Sequence, residues 1–138
     1  MDNTKASEFM GAVRQNLNFL SPDRAFSPAA HDLASLYIVY SEFHKSVAIV
    51  KSSATDASLL QKLESITHSV ENGMQLLIEA IEQVTNRKIA VYVASESDNI
   101  FQIARRFNAD LRELFELNKT NKLFSIEENK PVLVPQKV

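Results

Sequence analysis

The stretch KIAVYVASESDNIFQIARRFNADLRELFELNKTNKLFSIEENKPVLVPQKV, Lys88 to Val138, decides the fold. Ile89 to Ala94 alternates and is rich in β-branched residues, which suits a short strand. Ser95 to Asp98 supplies a turn, and Asp98 is the expected N-cap of a helix, its carboxylate accepting the unpaired amides of the first turn. Ile100, Phe101, Ile103, Ala104 and Phe107 then recur at helical spacing. Asn108-Ala109-Asp110 breaks that helix and caps a second one that carries Leu111, Leu114, Phe115 and Leu117. A polar loop leads to Pro131–Pro135, a short apolar strand closed by proline. The order is β-α-α-β. Strands that flank two helices are expected to pair with each other and let the helices cover one face.

Upstream of Lys88 the chain reads as helices. Ala6, Phe9, Met10, Val13, Leu17 and Leu20 form one apolar stripe over residues 4 to 20, ended by Ser21-Pro22-Asp23. Ser27-Pro28 is a start signal for a second helix running to about Lys51. Leu33, Leu36, Tyr37, Tyr40, Phe43, His44, Val47 and Val50 fill a wide face of it. Ile38, Val39 and Ile49 lie off that stripe, so more than one neighbour is expected to cover this helix. Thr55 or Asp56 caps a third helix reaching about Asn86. Its apolar positions (Leu59, Leu63, Ile66, Val70, Met74, Leu77, Ile81, Val84) advance by steps of three and four, close to a heptad seam. The second and third helices are expected to pair as an antiparallel hairpin with the first packed across it. Asn86-Arg87-Lys88 joins the halves without a Gly/Ser or Pro-rich linker, which implies a rigid connection. The expected class is α+β: a helical hairpin or three-helix unit over residues 1–87, then a small β-α-α-β domain over 88–138.

The carboxyl-terminal segment resembles a LysM domain, whose pattern runs Y-x-V-x-x-G-D-T-L-x-x-I-A, then L-x-x-x-N, then G-x-x-L-x-I-P. Tyr92, Asp98, Ile100, Ile103 and Ala104 fall on the first block, Leu114 and Asn118 on the second, and Val132, Val134 and Pro135 on the third. The chain departs from the pattern at Ala94, Ser97 and Asn129, where the family has Val, Gly and Gly. The resemblance implies a shallow groove between two loops, with Ser97, Asp98, Asn99 and Ile100 facing Leu123, Phe124, Ser125 and Ile126. In the family that groove grips N-acetylated glycans. Asp98 and Asn99 would then bond hydroxyl or acetamido groups; alternatively Asp98 caps a helix and Ile100 and Ile126 fill the core.

Composition narrows the chemistry. An apolar share of 45% permits a core, and a net charge of −2 with interspersed signs offers no basic stripe for nucleic acid. With no cysteine there is neither a disulfide nor a thiolate metal site. Residues 1 to 13 lack the continuous apolar run of a secretory signal, and nothing approaches the roughly 18 unbroken apolar residues of a membrane span. His31, His44 and His68 form no metal motif, and His44, on an apolar stripe, reads as a core or interface histidine. Glu79, Glu82, Glu127 and Glu128 read as solvated charges, not as the opposed carboxylates of a glycan hydrolase. Gly11 and Gly73, the only glycines, make no phosphate-cradling loop. No enzyme activity and no cofactor are expected.

LysM-like modules without export signals are found in tailed bacteriophages and contractile injection machines. The resemblance therefore implies a structural assembly protein of a tail or baseplate, assembled in the host cytoplasm. Its module and helices would clamp neighbouring hub, tube or wedge proteins in a symmetric multi-copy particle. The alternative it implies is a peptidoglycan-binding protein. Phe101, Phe107, Phe115 and Phe124 are numerous for so small a module, and any that are exposed would suit protein docking.

Overall fold

A computed structural model describes residues 25–95, 98–118 and 130–137. The stripe read over residues 4 to 20 lies outside them. Helix α1 spans Pro28–Ser53 and α2 spans Ala57–Thr85; β1 follows at Ile89–Val93, then α3 at Ile100–Arg106, α4 at Leu111–Leu117 and β2 at Pro131–Pro135. The protein is of the α+β class, and its described residues form two strands in one antiparallel sheet.

Local chemistry sets the ends of these elements. Pro28 occupies the first turn of α1, while the Ser27 hydroxyl makes no capping bond, so the fixed φ of proline does the starting. Asp56 caps α2 by accepting the Ser58 amide at 2.9 Å. Asn86 ends that helix in the left-handed region at φ 55°, a conformation asparagine tolerates better than branched residues. Asn108 does the same after α3, at φ 50°, and Asp110 then caps α4 through the Glu113 amide.

Helices α1 and α2 form an antiparallel hairpin. His44 Nε2 lies 3.3 Å from Glu71 Oε2, and Lys51 pairs with Glu64 further toward the tip. The wide apolar face read on α1 is only partly covered: Ala30, Ala34, Tyr37, Ser41 and Val47 are buried, while Leu36, Tyr40, Phe43 and Val50 stand exposed. The small side chains at Ala30, Ala34 and Ser41 let neighbouring backbone come close, which turns the larger residues aside.

The sheet separates two apolar clusters. Val132 and Val134 join Ala94, Ile100, Ile103 and Leu114 beneath α3 and α4. Leu133, on the opposite face of β2, joins Ala30, Tyr37, Ile78 and Ile81 of the hairpin. Alternation along one five-residue strand thus serves both the module and the hairpin. Polar ties reinforce this joint. Arg87 donates from Nε and Nη2 to the two oxygens of Glu113, at 3.0 and 2.9 Å. The Ala25 and Phe26 amides both donate to Glu116 Oε2, and Lys130 bonds Glu42 of α1.

Candidate functional site

The site implied by the LysM resemblance begins where β1 turns into α3. Asp98 is buried there, and the structure gives its carboxylate a different task from capping. Oδ2 accepts from the Tyr92 hydroxyl at 2.6 Å, the Ser95 amide at 2.8 Å and the Ser95 hydroxyl at 2.9 Å. Arg106 reaches Oδ1 at 3.4 Å from its exposed position on α3. The Tyr92 hydrogen bond, the Ser95 amide and hydroxyl and the Arg106 charge hold this carboxyl at about 2, below its ordinary 3.8. A group so readily ionised is an acceptor, the opposite of the raised-pKa acid that glycan hydrolysis needs.

The cap of α3 is Asn99, whose side-chain oxygen accepts the Gln102 amide at 2.9 Å. Asp98 and Asn99 are both good capping types, and the chain turns one residue later than the sequence suggests because Asp98 is drawn back to Ser95. Ile100 points into the cluster under the sheet and is 2% exposed. Asp98, Asn99 and Ile100 are thus all engaged within the fold. Ser97, Leu123, Phe124, Ser125 and Ile126 lie outside the described residues, as does Phe124's aromatic contribution. Of the other phenylalanines, Phe115 is buried, Phe107 meets the Tyr92 ring edge-on at 5.3 Å, and Phe101 remains 45% exposed above Phe115.

Three features escaped the sequence reading. Arg106 stacks over the Tyr92 ring, 5.4 Å from its centre, while bonding its hydroxyl. Asn118, at the end of α4, takes the Leu133 amide on its oxygen at 2.9 Å. Its amide nitrogen donates to the carbonyls of Leu133 and Leu114 at 2.7 and 2.8 Å. Its place in the L-x-x-x-N spacing was the available signal.

The third feature is the unequal treatment of the two sheet edges. Ala94 donates to the Lys130 carbonyl and Gln136 to the Lys88 carbonyl, bracketing the ladder. Ala90 and Tyr92 therefore turn their backbone groups toward β2, and Ile89, Val91 and Val93 turn theirs outward. On β2 the outward residues are Pro131, Leu133 and Pro135. The prolines have no N–H, and Asn118 satisfies Leu133, so that edge is closed. On β1 the Ile89 amide donates to Glu82 at 2.9 Å, but Val91 and Val93 meet no such guard among the described residues, and their side chains are exposed. Beside them runs a groove lined by Tyr37, His44, Glu71, Ile78, Glu82 and Val91.

Comparison of the chain with protein-family models, with curated proteins and with solved structures gave no match. Among the described residues no group of His, Cys, Asp or Glu is placed to hold a metal ion, and no helix is long and apolar enough to cross a membrane.

Proposed function

We propose that the protein is a non-enzymatic assembly component of a phage tail or contractile injection machine baseplate, in which the β-α-α-β module docks on one neighbour and the hairpin reaches another. The observation that carries this reading is the edge of β1, which no other described strand pairs. Outward backbone groups at Val91 and Val93, beside a groove of mixed polar and apolar lining, are suited to an extended segment of a neighbouring protein that adds a strand to the sheet. Glu71 and Glu82 on the groove wall favour a segment with basic residues flanking its apolar positions. The groove the LysM resemblance implies offers less to a sugar: Asp98, Asn99 and Ile100 all serve the fold itself.

Purified particles from the native source test this directly. The protein is expected in stoichiometric amounts within tails or baseplates, and a Val91→Lys, Val93→Lys double variant is expected to drop out while remaining folded. Pull-down on cell-wall sacculi addresses the peptidoglycan-binding alternative. Retention on sacculi that Asp98→Ala with Ile126→Ala abolishes, together with absence from particles, would replace the assembly reading.

A further inference from the structure

The hairpin carries a second apolar surface that no described residue covers. Glu42, His44 and Lys51 of α1 meet Lys130, Glu71 and Glu64 respectively. Leu36, Tyr40, Phe43, Val47 and Val50 follow one another at steps of four and three, with His44 and Lys51 along one border of the stripe and no charged residue within it. All of these except Val47 are exposed, Leu36 at 47%, Phe43 at 50% and Val50 at 49%. On α2, Leu59, Ile66, Gly73, Leu77 and Val84 keep the same heptad phase, and Lys62 is the one charge beside them. The two stripes lie on the same side. The edge of the Tyr40 ring rests against Gly73, where an added Cβ would come within 2.5 Å of it.

We propose that this side of the hairpin binds a second copy of the chain, forming a four-helix bundle across a two-fold axis. Area supports a second copy. Among the described residues the two stripes leave on the order of 500 Å² of apolar surface exposed, toward the upper end of what a monomer shows and about what the apolar centre of a dimer face of roughly 800 Å² supplies. Pattern supports it too. Heptad phase on both members of an antiparallel hairpin is the arrangement that interdigitates with itself in left-handed bundles. Gly73 at mid-seam leaves the room that the edge of the Tyr40 ring occupies.

Charge agrees with the symmetry. Asp32 lies one turn before Leu36, and Lys62 lies between Leu59 and Ile66 at the opposite end of the seam. Both are exposed, and neither takes an ion pair among the described residues. A two-fold axis across the hairpin between Tyr40 and Phe43 leaves Asp32 and Lys62 about 15 Å to either side of it. Asp32 of one copy is then level with Lys62 of the other. This surface is distinct from the β1 edge, and self-association holds or fails whichever partner that edge takes.

Sedimentation equilibrium of the full chain tests the proposal without any partner. The expected mass is twice 15.5 kDa at micromolar concentration. Phe43→Glu with Ile66→Glu is expected to weaken association at least a hundredfold while the helical circular dichroism is kept. Because buried-face substitutions can unfold a chain, charge reversal supplies an independent arm: Asp32→Lys is expected to weaken the dimer about threefold to tenfold, and adding Lys62→Asp to restore it. A folded full chain that stays monomeric at 100-fold higher concentration overturns the proposal, whether residues 4 to 20 or another protein then takes the face. So does a dimer indifferent to both sets of substitutions.

Discussion

At the scale of single residues, Asn118 and Asp98 carry the most structure per side chain. Asn118 is buried and closes the outward edge of β2. Asn118→Ala orphans the amide and carbonyl of Leu133 in an apolar setting and is expected to cost about 2–4 kcal/mol in urea denaturation. Asp98 gives a pH signature instead. Its folded-state pKa lies below the ordinary value, so its contribution is complete above the unfolded pKa near 3.8 and is lost as pH falls toward about 2. Wild-type thermal stability is therefore expected to fall between pH 4 and pH 2 more steeply than that of Asp98→Asn, which loses this step. The sequence showed Asp98 and Asn118 as positions that matter but not what they do. Asp98's partners Tyr92 and Arg106 come from other elements, and only the closed fold aligns them.

At the scale of elements, boundaries were readable and faces less so. Proline, aspartate and asparagine declare ends by fixed local chemistry, which is why Pro28, Asp56, Asn86, Asn108 and Asp110 fall where the sequence puts them. The two left-handed asparagines make the point quantitative: Asn86→Ala or Asn108→Ala is expected to cost about 1 kcal/mol in thermal denaturation, and either Asn→Gly change to be neutral or stabilising. Which side of α1 would be buried was not readable, because apolar residues surround most of that helix and small ones, Ala30, Ala34 and Ser41, decide the close contact. The sheet pairing was legible from two apolar strands flanking two helices. The guarded and open edges were not, since they depend on register, which places Pro131 and Pro135 opposite Val93 and Ile89.

At the scale of the whole molecule, the hairpin and the module share a core instead of touching as separate bodies. Leu133 is wholly buried between them, and the Arg87–Glu113 and Glu116 bonds span the same seam. Leu133→Ala is expected to cost about 2–5 kcal/mol. Its effect should appear equally in hydrogen exchange of α2 and of α4, with one unfolding transition by both far-ultraviolet dichroism and tyrosine fluorescence. Two separated transitions would show that the halves unfold independently. The Asn86–Lys88 junction was legible as linker-free; the strand that joins the two parts, with alternate residues committed to opposite sides, emerges only from pairing.

A joint without slack makes the hairpin a ruler. Its tip stands at a fixed reach and bearing from the module, so helix length and azimuth become one quantity. Seven residues added to each helix would lengthen the reach by about 10 Å and leave the apolar seam pointing almost as before. Five added to each would swing the seam about 140° around the rod, and the same side chains would then face the wrong neighbour.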